Sequence, residues 1–280
     1  MGVRIIVDST VDAVDSIKSR LSVVPLTVTF GDEEYIDGVT INHRKFYEKL
    51  IESDIMPTTS QATPSAFHSV FAEVNEAGES AVVLTLSSKL SGTYQSAMIA
   101  AEDYDNIYVV DSKSVAIGAG ILAELALQLA DSGVDAKTIA DVLCKERENV
   151  CVVALLDTLE YLKRGGRISK TVAFAGGLLS IKPVVSLEGG EIKILGKARG
   201  SKQGNNLLVT EIEKSGGVDF NKPVLLGYTG LTDALLQKYI EDSKSLWSAG
   251  TSELCYTPIG SVIGTHAGPG AVAAAFFKNN

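Results

Sequence analysis

The stretch "SAVVLTLSSKLSGTYQSA", residues 80–97, joins an apolar run to a helical pattern through a turn rich in hydroxyl groups. Its β-branched and apolar first half predicts a buried strand over 80–87, and its second half predicts a helix over 92–102. A strand that leads into a helix is the repeating unit of parallel sheets. The stretch therefore predicts an α/β fold.

The first half of the chain repeats this alternation. Further strands are predicted at 3–8, 23–30 and 106–112, and further helices at 43–53, 64–77, 117–132 and 136–148. Such regular alternation predicts a doubly wound, mainly parallel sheet. We therefore expect an N-terminal α/β domain over residues 1–150.

The pattern changes from about Cys151. A strand and a short helix that ends at Gly165-Gly166 are followed by a hairpin pattern that turns at Gly189-Gly190. Two helices then alternate with two strands. This half predicts a C-terminal α+β domain over residues 151–280.

The uncharged stretch 255–277 is long enough to cross a bilayer. Because Pro258, Pro269 and several glycines interrupt it, we expect a strand, a Gly-rich loop and a second buried strand instead, and no stable membrane insertion.

Composition narrows the class of protein. The chain is 45% hydrophobic and 21% charged, which is typical of a soluble globular protein. Its three scattered cysteines show no metal-ligand spacing and suit a reducing compartment, so a cytoplasmic location is expected. The net charge of −9 disfavours nucleic acid as a partner.

No familiar catalytic motif occurs, because Walker A, GxGxxG after a strand, GxSxG and HExxH are all absent. We therefore predict no catalytic residue, no metal and no cofactor.

Hydroxyl-rich turns follow three of the predicted strands, and TTSQ (58–61) adds a fourth such loop. In an open α/β sheet, loops at the carboxyl ends of strands meet at the ligand crevice. Each turn alone is explained equally well by helix capping. A capping Ser91 would still keep its O–H free to donate, beside the positive end of a helix. The turns therefore favour a cradle for an anion.

His266 lies in "GTHAGPGA", residues 264–271, where glycines permit close approach to a ligand. A buried core histidine is an equally good interpretation of this residue.

Residues 163–202 hold nine Lys or Arg against two Glu, a local charge of +7 in an acidic chain. This basic island indicates either a solvated face or a docking surface for an anionic partner or phosphate. Arg164, Arg167 and Lys170 cluster around the Gly165-Gly166 bend, which would project them together if this is a docking surface.

Read in order, the motifs of this chain resemble the DegV family of bacterial fatty-acid-binding proteins. The shared motifs are IVDST (6–10), VVPLTVTF (23–30) with a following Asp-Gly, PTTSQ (57–61), LSSKLSGTYQSA (86–97), VVDSKS (109–114), LEYLKRGGRISK (159–170), IKPVVSLEGGEIKILGKARG (181–200) and GTHAGPGA (264–271). The resemblance spans the whole chain.

The resemblance implies a two-domain α/β protein that holds a long-chain fatty acid in a tunnel between its domains. It also implies a carrier without catalysis of its own, which presents the acyl carboxylate to a fatty acid kinase for acyl-phosphate formation and phospholipid synthesis. In the family's pattern the carboxylate is held by residues that match Thr59, Ser91 and His266.

We add the neighbouring Ser60, Gly92 and Thr93 to this predicted ligand-binding set. Ala62 and Ala267 depart from the family's usual Pro and Thr beside the site, which bears on the choice of ligand.

Burial of about 15 methylenes at roughly 0.8 kcal/mol each would supply about 12 kcal/mol gross, so the tail would dominate the affinity. Candidate tail-lining stretches are 114–126 and 171–181, although ordinary helix packing explains them equally well.

Two alternatives remain open. One is a serine hydrolase that acts on acyl esters through Ser91 and His266, without an evident triad acid. The other is a binder of a different apolar carboxylate or of a phosphorylated small molecule.

Overall fold

The computed structural model describes residues 2–168, 181–248, 250 and 254–279. In chain order the elements are β1 (Val3–Asp8), α1 (Asp15–Lys18), β2 (Leu21–Val24), β3 (Thr27–Phe30), β4 (Glu33–Ile36), α2 (His43–Glu52), β5 (Thr58–Ser60), α3 (Pro64–Glu76), β6 (Ser80–Thr85), α4 (Thr93–Ala101), β7 (Ile107–Asp111), α5 (Ala116–Asp131), α6 (Ala136–Glu146), β8 (Val150–Leu155), α7 (Glu160–Arg164), β9 (Ile181–Glu188), β10 (Glu191–Arg199), α8 (Gly200–Lys214), β11 (Leu225–Tyr228), α9 (Ala234–Asp242), α10 (Lys244–Trp247), β12 (Tyr256–Pro258), α11 (Ser261–Ala267) and β13 (Val272–Phe277).

The N-terminal half contains a four-stranded parallel sheet in the order β2-β1-β6-β7. Along β1, Ile5 and Val7 pack toward α5 and α6, whereas Ile6 packs toward α3 and α4 on the opposite face. Because helices cover both faces, the strands are apolar on both sides and read as continuous runs. The predicted doubly wound parallel sheet is confirmed.

The prediction of a single strand over 23–30 is wrong. This stretch forms β2 in the parallel sheet and β3 in a separate three-stranded antiparallel sheet of order β4-β3-β5. Pro25 stands between them and has no N–H to continue a ladder. The next amide, that of Leu26, donates instead to Oγ of Ser9 at 3.0 Å.

The C-terminal half contains a six-stranded mixed sheet in the order β10-β9-β8-β13-β11-β12. The predicted hairpin is confirmed, because β9 pairs with β10 and both turn glycines, Gly189 and Gly190, have positive φ. The predicted fold class, a parallel sheet with a separate mixed sheet, is confirmed. All six strands lie at or beyond Val150, while the domain limits of 1–150 and 151–280 stay a prediction.

Helix α5 connects the two sheets. Its side chains share one apolar cluster with Ile5 of β1 and with Ala273 and Ala275 of β13. The opposite face of β13 packs on α8 and α9. Helix α5 therefore packs against strands of both sheets.

The prediction of a Gly-rich loop after β12 is wrong in part, because helix α11 occupies 261–267. A Cβ on Gly264 would overlap the rings of Phe46 and Tyr47 in α2, so this glycine allows two helices to approach closely. Gly268 follows the helix at φ +70°. His266 consequently lies in the last turn of a helix. Among the described residues, no helix combines the length and apolar character needed to cross a membrane.

Candidate ligand-binding site

A cavity of about 410 Å³ lies between the two sheets. Both halves of the chain contribute to its wall, which is mostly apolar, with Ile117 of α5, Val152 and Ala154 of β8, and Ala273 of β13 among its members. Arg167 and His266 are the ionisable side chains among the described residues of that wall. The volume and the apolar lining are typical of a site for a small, largely apolar ligand.

The predicted head-group residues meet at this cavity. Thr59 comes from β5, Ser91 from the loop before α4, and His266 from the end of α11, and all three line the wall. Oγ1 of Thr59 lies 3.0 Å from Nε2 of His266, although the two residues are 207 positions apart. Ser60 and Gly92 also line the cavity.

Thr93 has a supporting position. Its side chain is buried behind Ser91, and the two hydroxyl oxygens are 2.9 Å apart. Helix α4 begins at Thr93 with Gly92 as its N-cap, so the expectation that Ser91 caps the helix is wrong by one position. Ser91 nevertheless accepts a hydrogen bond from the amide of Thr93 at 3.3 Å. With the Thr93 hydroxyl as donor, Ser91 keeps its own O–H for a ligand.

Most of the other strand-end hydroxyls have structural roles. The buried carboxylate of Asp8 accepts hydrogen bonds from Thr10 and from the amide of Leu86. Oγ of Ser87 donates to the carbonyl of Gly190 at 2.7 Å and so connects the loop before α4 to the β9–β10 hairpin. These polar groups are therefore used in hydrogen bonds within the protein and are not assigned to ligand binding.

Burial and, to a smaller extent, the charge of the nearby Arg167 lower the pKa of His266 from 6.5 to about 4. The imidazole is therefore neutral near pH 7. Its Nδ1 is buried without a hydrogen-bond partner, and a side chain on Gly165 would overlap this atom. If Nε2–H donates to Thr59, the hydroxyl of Thr59 can donate to a ligand. Two hydroxyls then face the cavity with O–H groups available for a ligand that only accepts, which is the property of a carboxylate.

The same geometry argues against a serine hydrolase. A hydrolytic triad requires a serine that is hydrogen-bonded to a histidine, and an acid on the other ring nitrogen. Here Ser91 bonds to Thr93, and among the described residues no carboxylate bonds to His266. A histidine with a pKa of about 4 is also a weak general base near neutral pH.

The predicted docking residues separate in the structure. Arg167 is half-buried in the cavity wall, where its Nε and Nη1 donate to the carbonyls of Leu90 and Gly165 at 3.1 and 2.7 Å. Arg164 is exposed and pairs with Glu160 at 2.7 Å. Lys170 lies outside the described residues.

The candidate tail-lining stretches are placed in part. Val115, Ala116 and Ile117 from the stretch 114–126 line the cavity. Of the stretch 171–181, all but Ile181 lie outside the described residues.

Gln61 is a wall residue that the sequence reasoning did not single out. Its amide donates to Oγ of Ser96 at 2.9 Å, and its side chain occupies the space that a Cβ on Gly92 would need. The cross-strand pair of Ala154 and Ala273 was also missed, and both line the cavity. The alanine run in β13 is a signal for this pair, because small residues leave room between packed layers.

Comparison with known proteins finds relatives that match nearly the whole chain. The family model described as "Uncharacterised protein, DegV family" matches residues 2–279. A DegV domain-containing protein of Caldanaerobacter subterraneus subsp. tengcongensis is 35% identical over 99% of this chain and 98% of its own length.

Two solved structures are similar over nearly their whole length. A fatty-acid-binding DegV family protein from Thermus thermophilus is 30% identical with a TM-score of 0.87, covering 99% of this chain and 100% of its own. A stearic acid-binding protein from Eubacterium ventriosum is 27% identical with a TM-score of 0.87, covering 99% of each chain.

Proposed function

This chain belongs to the DegV family, and we propose that it binds a long-chain fatty acid and presents the carboxylate to a fatty acid kinase in the cytoplasm. One observation carries the binding half of the proposal. Thr59, Ser91 and His266 line the mostly apolar cavity between the sheets, and Thr59 and His266 lie within hydrogen-bond distance of each other. The similar solved proteins from Thermus thermophilus and Eubacterium ventriosum are fatty-acid-binding proteins.

The tail supplies most of the affinity. Each buried methylene contributes roughly 0.8 kcal/mol, so a chain of about 15 methylenes gains about 12 kcal/mol before the costs of association are subtracted. The wall contributes Ile117, Val152 and Ala273 to this contact.

Contacts to the carboxylate set the orientation of the fatty acid in the cavity. The hydroxyls of Thr59 and Ser91 donate to the carboxylate oxygens, while the neutral His266 fixes the position of Thr59. Arg167 stands in the same wall and is held by two backbone carbonyls, so its positive charge offsets the negative charge of the buried head group.

Mass spectrometry of organic extracts tests the binding half. Protein purified from cells that were fed fatty acid is expected to release a long-chain fatty acid on denaturation, because burial of the tail makes dissociation slow. Extracts that contain only solvent and buffer ions, together with no binding of added fatty acid, would refute it.

The kinase half rests on the family resemblance and on the position of Arg167 beside the head-group site. In the proposed reaction a carboxylate oxygen of the bound fatty acid attacks the terminal phosphorus of ATP on the kinase, and ADP leaves. The carrier contributes presentation and no catalysis. Without the kinase, therefore, no acyl phosphate should form.

Kinase turnover at saturating fatty acid tests this half. Arg164→Ala is expected to retain wild-type fatty-acid affinity and to support less acyl-phosphate formation. Arg167→Ala is expected to bind fatty acid more weakly, because its charge offsets the head group, and to support less acyl-phosphate formation even when fatty acid is saturating. Arg44→Ala is the matched control, because Arg44 is also exposed and paired with a carboxylate four residues away, but it lies on α2 outside the basic island. Wild-type turnover and carrier–kinase affinity in the Arg164/Arg167 double variant would exclude the island as a docking surface.

A further inference from the structure

A second pocket, of about 350 Å³, adjoins the fatty-acid cavity and shares the side chain of Leu187 with it. Three basic residues from separate parts of the chain line this pocket. Lys113 follows β7, Arg147 follows α6, and Lys278 follows β13. Their convergence is unusual in a chain with a net charge of −9.

The acids of the pocket do not neutralise these three cations. Glu148 lies 2.5 Å from Nζ of Lys113 and 3.5 Å from Nε of Arg147, so one carboxylate serves two cations. Glu188 is the second acid of the wall, which leaves an excess of one positive charge. Within the described part of the chain, Lys278 has no ion-pair partner.

Arg147 is held in position by a backbone carbonyl, and its Nε–H makes no hydrogen bond. Its Nη1 donates to the carbonyl of Asp111 at 2.7 Å, and its side chain is only 21% exposed. Its Nε is buried and makes no hydrogen bond, because the carboxylate oxygen of Glu148 that pairs with it is 3.5 Å away. A buried N–H without an acceptor is unfavourable, and an anion in the pocket would supply the acceptor.

The segment from Lys113 to Ala116 connects this pocket to the fatty-acid cavity. Lys113 lines the second pocket, whereas Val115 and Ala116 line the cavity. Lys113 and Ala116 have φ of +51° and +49° and are the two non-glycine residues with positive φ among the described residues. Such backbone conformations are disfavoured for residues with a side chain. A ligand that moves Lys113 would therefore act on a strained segment whose other end forms the cavity wall.

We propose that the second pocket binds a small phosphate monoester, and that its occupancy changes the affinity of the cavity for fatty acid. The dianionic phosphate matches two lysines and a guanidinium better than a carboxylate does, because it carries more charge and more acceptor oxygens. Glu148 is 54% exposed and is free to turn toward solvent when the phosphate replaces it. The coupling half rests on the proposed function, whereas the phosphate site stands independently of it.

Calorimetric titration with glycerol 3-phosphate at low and moderate salt tests the site. Wild type is expected to bind with a Kd below about 1 mM at low salt and more weakly as salt rises. Lys278→Gln should weaken binding at least ~10-fold, since it removes the cation that lacks an ion-pair partner. Lys238→Gln makes the same charge change on α9, outside the pocket, and should stay within about 2-fold of wild type.

A parallel arm uses vesicles that contain phosphatidic acid, which carries the same phosphate group on a lipid. Binding to the vesicles alone would identify a membrane headgroup as the source, and binding to glycerol 3-phosphate would identify a free metabolite. No saturable binding to either probe, or equal binding by wild type and Lys278→Gln, overturns the site.

The coupling is measured as the fatty-acid Kd with and without saturating glycerol 3-phosphate. A change of at least about 3-fold is expected, and it should vanish in Lys278→Gln. An unchanged Kd in wild type overturns the coupling. A wild-type protein that binds phosphate ester but no fatty acid would instead contradict the proposed function and leave the phosphate site in place.

Discussion

The variant Gly165→Ala is expected to disrupt the head-group site without disturbing the fold. Gly165 ends α7 with φ −70° and ψ −9°, a conformation that alanine adopts without strain. At such a position the change would normally stabilise a protein by about 0.4–1 kcal/mol through the unfolded chain. Here the added Cβ would overlap Nδ1 of His266, so the imidazole must move.

The expected loss of fatty-acid affinity follows from the geometry of one hydrogen bond. Nε2 of His266 lies 3.0 Å from Oγ1 of Thr59, and a separation of about 3.6 Å is no longer a hydrogen bond. A small displacement therefore frees the Thr59 hydroxyl from its fixed orientation toward the carboxylate. A hydrogen bond to a charged group contributes about 1.5–3 kcal/mol, and each 1.4 kcal/mol is tenfold in Kd, so affinity should fall about 10- to 150-fold.

Displacement of a fluorescent fatty acid measures this change. Arg164→Ala, at the neighbouring position of α7, is the matched control and should stay within about 2-fold of wild type because Arg164 is exposed. Thermal denaturation checks that Gly165→Ala is folded. Wild-type affinity in a folded Gly165→Ala protein would refute the role assigned to the contact between Thr59 and His266.

Three further outcomes are expected. Thr59→Val and Ser91→Ala should each weaken fatty-acid binding by about 10- to 150-fold, because a buried carboxylate loses a donor, and unchanged affinity in both would exclude the head-group site. Ser87→Ala should lower the free energy of unfolding by about 1–3 kcal/mol in urea denaturation by leaving the Gly190 carbonyl without its donor, whereas the exposed Ser88→Ala should cost less. Burial lowers the pKa of His266 from 6.5 to about 4, so the unfolded chain binds more protons between these values and the histidine makes stability fall as pH drops through this window. The stability of wild type relative to His266→Gln should thus decrease by up to about 3 kcal/mol between pH 7 and pH 4, and a difference that does not vary with pH would contradict the buried neutral imidazole. Comparison with this variant isolates the histidine, because Asp8, with a pKa raised by burial to about 6, acts in the opposite direction.

The fold was largely predictable because its signals are local. Strands such as β6, buried on both faces, read as continuous apolar runs. The five predicted helices of the first half differ from their predicted ranges by a few residues at most, whereas the short helix α1 was not predicted. Two of the errors occurred at a proline and a glycine, residue types that are compatible with more than one local structure. A proline inside an apolar run divided 23–30 between two sheets, and Gly264, which favours a loop by composition, lies inside α11 because the ring of Tyr47 leaves no room for a Cβ.

The sequence predicted that Thr59, Ser91 and His266 lie close together, and they line one cavity, but it did not predict their contacts. Helix capping and ligand binding use the same hydroxyl groups, so the sequence alone does not separate Ser87, which holds a hairpin, from Ser91, which faces the cavity. Only the tertiary fold makes that distinction, because the partner of Ser87 is 103 residues away.

Arg167 shows the same limit for charge. The count of basic residues groups Arg167 with Arg164, yet the Arg164 side chain is in solvent and the Arg167 side chain is half-buried. Gly166, at φ +70°, reverses the chain between them. Arg164 consequently stays in solvent on α7, whereas Arg167 turns back against the carbonyls of Leu90 and Gly165 and enters the cavity wall. Substitution of Arg167 therefore reports on the head group as well as on docking, and only the fatty-acid affinity measured beside kinase turnover separates the two effects.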